Sequence, residues 1–275
     1  VIGARVVDGA DLDAGYADVA PTAPLAAGIY ASISARILDR AGNVGATSPV
    51  VDPAVGIDYT APATPGLPDL AADDDTGTSY ADNITTKTVG LSLTGTVAES
   101  NLRHEIFING VRAGAPGVVA TFWAYEIAGP VADGAYAVTV RSTDVAGNVS
   151  AFSNALNVLV DTAPPSIERI TTTAASGFYR AGQVIPIAVQ FTEGIYLAGT
   201  NPLVQLILNN GKVLTLAPPP GATSPVFNYT VGAADMNTPD LNVGAVLLNG
   251  TGPSLRDAAG NNASLALPAG ANLAD

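Results

Sequence analysis

Hydrophobic and polar residues alternate along much of this chain with the two-residue period of β-strands. At residues 135–143 the side chains of Tyr136, Val138 and Val140 fall on one face, and residues 30–37 show the same alternation. Further strands are predicted at residues 89–97, 103–108, 184–191, 203–208 and 225–231. No segment has a long helical period, so we expect no helix longer than about two turns.

The predicted strands are short and are separated by turns rich in Gly, Asn and Asp. The chain has 275 residues, of which 48% are hydrophobic, and it contains 29 Gly and 20 Pro. Seven or so short strands per hundred residues are typical of a two-sheet antiparallel β-sandwich. The fold class that we predict is therefore all-β.

A five-residue motif, Asp-x-Ala-Gly-Asn, divides the chain at domain-sized intervals. It occurs at residues 39–43, 144–148 and 257–261, and Pro-containing linkers occur at residues 57–62 and 160–164. We predict three domains: 1–60, which lacks the strands of its N-terminal half; 61–163; and 164–275, which leaves little room for a last strand. The ends indicate either a fragment of a longer array or domains completed by a neighbouring subunit.

Several motifs together resemble the bacterial Ig-like repeats of giant surface adhesins. They are the Asp-x-Ala-Gly-Asn turn, the linker at residues 161–164 and the acidic stretch from Asp73 to Thr85, and residues 181–185 and 191–194 make the third domain similar to a sister subtype. This resemblance implies tandem immunoglobulin-like sandwiches in an extended row, located outside the cell or on the bacterial surface. It also implies passive extension or adhesion, in an adhesin stalk or a surface filament.

The charge of the chain limits its partners. The formal net charge is −13 and the sequence contains no cysteine. An acidic surface repels nucleic acid and anionic lipid, and no apolar run approaches the length of a membrane-spanning helix, so we expect neither nucleic-acid binding nor membrane insertion. The expected partners are neighbouring domains of the same long chain, identical subunits in a filament, and a host glycan or protein that the sequence does not identify.

Calcium is the predicted cofactor, because Ca²⁺ takes six to eight oxygen ligands of the kind that these loops contain. An Ig-like topology should bring Asp144 and Asn148 to the preceding linker at Asp58. At the second junction it should gather a larger set of oxygen ligands, namely Asp73, Asp74, Asp75, Asp161, Glu193, Asp257 and Asn261. The competing interpretation is that the motif is only a good turn, in which Asp and Asn cap backbone groups.

Catalysis is poorly supported, and we predict that the chain is not an enzyme. His104 is the only histidine, and the acids Asp73, Asp74, Asp75 and Asp82 lie in a loop between short strands, which is an unusual place for a glycosidase pair. The alternative function is a carbohydrate-binding or accessory module of a secreted hydrolase. In that alternative Trp123 and Tyr125 stack on sugars, although a Trp in such a sheet is more often buried.

Overall fold

The computed structural model describes residues 3–6, 18–51, 54–97, 99, 101–119, 121–269 and 273. Every regular element in these residues is a β-strand, which confirms the predicted all-β class. The described part of the chain therefore contains no helix long and apolar enough to cross a membrane. The chain divides into two compact units, the first built from Val1–Pro65, Ala98–His104 and Arg141–Phe152, the second from Gly66–Val97, Glu105–Val140 and Ser153–Asp275.

The first unit contains the shortest sheet, an antiparallel pair of β1 (Gly28–Tyr30) and β2 (Val55–Ile57). A strand is predicted at residues 30–37, but the regular strand β1 already ends at Tyr30. Beyond that end, Val51 N–H still donates a hydrogen bond to the Ile33 carbonyl (2.8 Å). Ile37 is 76% exposed, so the apolar face of this segment is not packed beneath a second layer in the described residues. Without that burial, backbone pairing alone does not consolidate a regular strand.

A β-sandwich follows, with nine strands in two sheets among the residues described. Its strands are β3 (Asp69–Leu70), β4 (Ile84–Thr85), β5 (Ser92–Thr96), β6 (Arg103–Ile108), β7 (Val111–Gly114), β8 (Gly117–Val119), β9 (Phe122–Glu126), β10 (Gly134–Thr143) and β11 (Leu156–Val160). One sheet has the order β4-β11-β10-β6-β7 and the other β3-β5-β9-β8. Alternate residues of β11 are buried, as the period-two pattern requires. Leu93, Trp123 and Val158 belong to the core between the sheets.

A second β-sandwich is formed within residues 167–256. Its strands are β12 (Ile167–Thr172), β13 (Val184–Phe191), β14 (Tyr196–Leu208), β15 (Val213–Leu216), β16 (Val226–Thr230) and β17 (Val243–Arg256), arranged as β12-β13-β16 and β15-β14-β17. Ile187, Leu206 and Phe227 belong to a separate core cluster. The strand predicted at 184–191 is confirmed residue for residue, and the one at 203–208 forms the second half of β14.

The two hydrophobic clusters both lie in the second compact unit, and the predicted boundary near residue 163 falls between them. The division into three domains, 1–60, 61–163 and 164–275, stays a prediction, as does the extended row.

Candidate functional site

The three Asp-x-Ala-Gly-Asn motifs fold into the same turn. In the third, Asp257 Oδ1 accepts a hydrogen bond from Asn261 N–H (2.8 Å) and Asp257 Oδ2 accepts one from Asn261 Nδ2 (2.8 Å). The turns at 39–43 and 144–148 repeat both hydrogen bonds with distances of 2.7–2.9 Å. The hydrogen bond from the Asn side chain is the main cause of the lowered pKa of Asp39 and Asp144. The motif is therefore a self-capped turn wherever it occurs.

Two of these turns also donate a hydrogen bond to the linker that precedes their own predicted domain. Asn148 Nδ2 donates to the backbone carbonyl of Asp58 (3.1 Å), and Asn261 Nδ2 donates to that of Asp161 (3.0 Å). The same amide group thus caps its own turn and contacts the linker about one domain earlier in the chain. We call these two places the first junction and the second junction.

The second junction gathers three carboxylates. Asp161, Glu193 and Asp257 each place one carboxylate oxygen within 4.8 Å of the others. They come from three positions just beyond strand ends: Asp161 follows β11, Glu193 follows β13 and Asp257 follows β17. Asp257 is 2% exposed and the other two side chains are half-buried. Because like charges in a partly dry site repel, the arrangement favours a cation among them.

Backbone hydrogen bonds fix the segments that carry these acids. Asp161 N–H donates to the Thr85 carbonyl (2.9 Å), which continues the parallel pairing of β11 with β4. Thr192 N–H donates to the Ser166 carbonyl (2.9 Å), so the residue before Glu193 is tied to the segment that leads into β12. The acids are therefore held by backbone anchors.

The pKa of Glu193 is raised, first by burial and then by the charges of Asp161 and Asp257. Ca²⁺ binds oxygen ligands at about 2.3–2.6 Å, so oxygens up to roughly 5 Å apart can share one ion. The 4.8 Å spread of this cluster fits that limit. Asp257 already accepts three hydrogen bonds, two on Oδ1 from the N–H groups of Gly260 and Asn261 and one on Oδ2, so Oδ2 keeps a lone pair for a metal.

A loop of the first sandwich covers the turn at the second junction. Thr76 Oγ1 donates to the Ala259 carbonyl (2.9 Å), and Thr78 N–H donates to the Ala258 carbonyl (3.1 Å). Between them Gly77 has a φ of +97°, and a Cβ on it would lie 2.0 Å from the Ala258 oxygen. Only glycine permits this close approach.

The three aspartates of the acidic stretch have different surroundings. Asp73 is exposed. Asp74 is buried, contacts Lys87 Nζ through Oδ1 and accepts the Ser92 N–H through Oδ2 (2.6 Å), so its carboxylate is committed within its own domain. Asp75 is 2% exposed and accepts the Asn83 N–H (3.2 Å) through Oδ2.

Asp82 is a functional candidate that the metal-site prediction missed. Burial is the first cause of the raised pKa of Asp75, and the neighbouring charge of Asp82 adds to it. From the sequence, Asp82 is a candidate only as a hydrolase acid, because its separation from Asp75 along the chain does not show that the loop folds back. The turn-forming Asp82-Asn83 pair was the available signal, since Asn readily adopts the left-handed conformation that Asn83 has (φ +59°).

The first junction has fewer ligands. Asp58 Oδ1 accepts the Thr60 N–H (2.8 Å) and Asp144 is engaged by its own turn. Within the part of the chain that the structure describes, a group of three possible metal-ligating side chains occurs only at the second junction.

The aromatic platform of the alternative function is not available at Trp123. That side chain is 2% exposed and packs against Gly95, where a Cβ would lie 2.4 Å from the indole ring. Tyr125 is half-buried on the same face, and Phe122 is 63% exposed on the other. The interpretation of Trp123 as a core residue is confirmed. His104 is also buried, with Nδ1 2.8 Å from Ser142 Oγ.

Comparison with known proteins locates one family within the chain. A family model described as a bacterial Ig-like domain matches residues 61–162. Chitinase A1 of Niallia circulans is 31% identical over 192 residues, which are 67% of this chain and 25% of the chitinase. The chain therefore spans a quarter of the length of that relative.

Two solved structures show weaker similarity. The fibronectin(III)-like modules of Clostridium thermocellum CbhA are 12% identical, cover 72% of this chain and 89% of their own, and have a TM-score of 0.31. A Bacteroides ovatus protein from a mixed-linkage glucan utilization locus, SGBP-B in complex with a heptasaccharide, is 17% identical. It covers 70% of this chain and 42% of its own, with a TM-score of 0.24.

Proposed function

Residues 61–162 form a bacterial Ig-like domain, and from that premise we propose that the whole chain is a non-catalytic spacer of tandem Ig-like domains. Its place is an extracellular or surface-attached bacterial protein, such as an adhesin stalk or a surface filament. The observation that carries the proposal is the repeated contact of an Asp-x-Ala-Gly-Asn turn with the preceding linker, at Asp58 and again at Asp161. A motif that contacts the preceding linker in each of two successive domains would help to keep those domains in an extended row.

Calcium at the junctions would make such a spacer stiff. At the second junction, Asp161, Glu193 and Asp257 supply three carboxylates from three separate segments, and an ion between them would hold the linker to the loops of the following sandwich. A ligand that binds only the folded arrangement stabilises it by RT ln(1 + [L]/Kd), about 2.7 kcal/mol when the free ligand is at a hundred times its Kd. We expect weaker binding at the first junction, where Asp58 and Asp144 are joined by the amide Asn148.

The test is calorimetric titration of the chelator-treated chain with CaCl₂, followed by thermal melting and small-angle scattering with and without chelator. We expect Ca²⁺ uptake, a higher melting temperature and a longer maximum dimension in Ca²⁺. Asp161→Ala should weaken the second junction more than the first. No uptake at millimolar Ca²⁺, together with melting that chelator does not change, would leave the motif as a turn only.

A second candidate is an accessory region of a secreted hydrolase, which the similarity to chitinase A1 favours. A module that recognises polysaccharide should sediment with insoluble chitin, whereas a spacer should stay in the supernatant with chitin and with a cellulose control. Incubation with chitin oligosaccharides should give no products for either candidate. Hydrolysis abolished by a single substitution among Asp73, Asp75 and Asp82 would contradict the non-catalytic assignment.

A further inference from the structure

Three Asn-Gly pairs occur in the sequence, at residues 109–110, 210–211 and 249–250. In such a pair the backbone nitrogen of Gly attacks the side-chain carbonyl carbon of Asn, and the absence of a Cβ on Gly leaves the approach open. The attack requires the two atoms to meet in a near-attack arrangement. A fold that holds the Asn side chain or the Gly nitrogen elsewhere therefore slows the reaction, and the three pairs differ in this respect.

The second pair is held on both sides. Asn210 is 8% exposed, its Nδ2 donates to the Tyr229 hydroxyl (2.9 Å), and its Oδ1 accepts the Lys212 N–H (3.1 Å). The Gly211 N–H donates to the Leu208 carbonyl (2.9 Å), so the attacking nitrogen is engaged as well. Reaction at this pair requires buried hydrogen bonds to be broken first.

The first pair forms the turn between β6 and β7 and is held through its side chain. Asn109 Oδ1 accepts the Ala137 N–H (2.9 Å), and the Asn109 N–H donates to the Ala137 carbonyl (2.8 Å). These two hydrogen bonds fix Asn109 against β10. The side-chain carbonyl therefore has to leave the Ala137 N–H before it turns to the Gly110 nitrogen.

In the third pair the two reacting groups already touch. Asn249 and Gly250 are exposed, and the Gly250 N–H donates to Oδ1 of Asn249 itself (2.8 Å). The register of β14 against β17 shifts at this point, so Gly250 alone faces Asn201 and Pro202 in a β-bulge. The attacking nitrogen thus lies beside the side-chain carbonyl, and a rotation of an exposed side chain turns Cγ towards it.

We propose that Asn249 is a site of spontaneous deamidation in the folded chain, and that the fold protects Asn109 and Asn210 from the same reaction. The Gly250 nitrogen loses its proton to the solvent and forms a bond to Asn249 Cγ. The bond from Cγ to Nδ2 breaks, and the side-chain nitrogen leaves as ammonia. Water then opens the cyclic imide at either carbonyl, which gives aspartate or isoaspartate without any transfer of electrons.

The product adds negative charge to a part of β17 that lies outside the core. Residues 198–201 of β14 and 249–252 of β17 are exposed, whereas Val246 and Leu255, on either side of this segment, are buried. We therefore expect the modified chain to stay folded and to become more acidic than its formal charge of −13. This property is independent of the proposed calcium binding, because it uses none of the acids at the junctions.

The test compares the three pairs within one molecule. The full chain is incubated in mildly alkaline buffer, and each Asn is followed by peptide mapping with tandem mass spectrometry. Asn249 should be converted at least about tenfold faster than Asn109 or Asn210, with both aspartate and isoaspartate formed. In urea that unfolds the chain, the three rates should become similar, because the protecting hydrogen bonds are lost. Asn249→Gln lengthens the side chain beyond the five-membered ring and should abolish the fast conversion.

Three results would contradict the proposal. Similar rates at Asn249 and Asn109 in the folded chain would show that the fold does not select the site. A lead of Asn249 that persists undiminished in urea would assign the selectivity to the neighbouring sequence instead of the structure. Aspartate formed without isoaspartate would exclude attack by the Gly250 nitrogen, since direct hydrolysis of the side chain gives aspartate alone.

Discussion

The turns at residues 144–148 and 257–261 have the same sequence motif and the same internal hydrogen bonds, yet their surroundings differ. Ala146 is exposed, whereas the corresponding Ala259 is completely buried. A Cβ on Gly147 would meet nothing within 4 Å, whereas one on Gly260 would lie 3.0 Å from Gly77 Cα. The motif therefore determines the turn, and the neighbouring loop determines whether that turn is part of a packed junction.

The acids differ in the same way. Asp257 has two further carboxylates beside it, while the contact at the first junction is between Asn148 and the Asp58 backbone. Glu193 comes from a different segment of the third predicted domain and has no counterpart in the repeated motif. Two turns can thus share one sequence motif and still differ in their capacity to bind a cation.

Substituting a glycine by alanine at each junction should give the largest difference in stability loss between the two turns. Gly77→Ala places a methyl group 2.0 Å from the Ala258 oxygen at a φ of +97°, whereas Gly147→Ala at a φ of +93° has free space. Strain at a positive φ costs of order 1–3 kcal/mol, and overpacking adds about 1–3 kcal/mol for Gly77→Ala only. Urea denaturation followed by circular dichroism measures both variants. Equal losses would show that the covering loop shifts freely away from the turn.

Removal of one carboxylate should distinguish the junctions in their response to Ca²⁺. In Glu193→Gln we expect most of the chelator-dependent fall in melting temperature to disappear, because the cluster loses one of its three carboxylates. That fall corresponds to about 2.7 kcal/mol at a hundredfold excess over Kd. Asp144→Asn is the matched control at the first junction and should keep most of the effect. Scanning calorimetry with and without chelator measures the fall in melting temperature. If Asp144→Asn removed more of that fall than Glu193→Gln, the ranking of the two sites would be reversed.

In the absence of metal, Glu193 at the second junction and Asp144 at the first junction should change the stability of the folded chain with pH in opposite directions. The pKa of Glu193 is raised above its usual 4.5 in the folded chain. Its contribution is therefore fully present below about pH 4.5 and is lost as the pH rises through the raised value. The pKa of Asp144 is lowered below its usual 3.8, so its contribution is present above that pH and is lost as the pH falls through the lowered value.

Urea denaturation between pH 3 and pH 7 in chelator, with Glu193→Gln and Asp144→Asn, separates the two contributions. Glu193→Gln should remove the loss of stability on going from about pH 4.5 upward, and Asp144→Asn should remove the loss at the acid end. Saturating Ca²⁺ should suppress the Glu193 contribution, because the ion stabilises the ionised carboxylate. A Glu193→Gln profile identical to that of the unmodified chain would contradict the charge cluster.

Some of this site could be predicted from the sequence, for identifiable physical reasons. Asp161 and Asp257 belong to repeated motifs at strand ends, and a sandwich topology brings such ends together, so their proximity follows from local pattern and fold class. Glu193 followed from the same topology. The Asp74–Lys87 contact and the Asp75–Asp82 pair could not be predicted, because they depend on how the loop folds back and which side chains it turns inward. The end of the strand at Tyr30 was missed because alternation predicts a strand without showing whether a second layer covers it.

Removing the hydrogen bond from turn to linker should give the smallest difference in stability between the two junctions. Asn148→Ala and Asn261→Ala each remove the contact with a linker carbonyl and the side-chain cap on the motif Asp. A net loss of about 0.5–1.5 kcal/mol in stability per hydrogen bond is usual. We expect the larger loss for Asn261→Ala, because the contact of Asn261 with Asp161 is partly buried, whereas that of Asn148 with Asp58 is exposed.

Amide hydrogen exchange at residues 58–60 and 161–163 reports linker protection in each variant. Faster exchange at 161–163 in Asn261→Ala, with a smaller change at 58–60 in Asn148→Ala, is the expected result. Equal changes would mean that the single amide contact, and not the surrounding acids and loop, determines how firmly each linker is held.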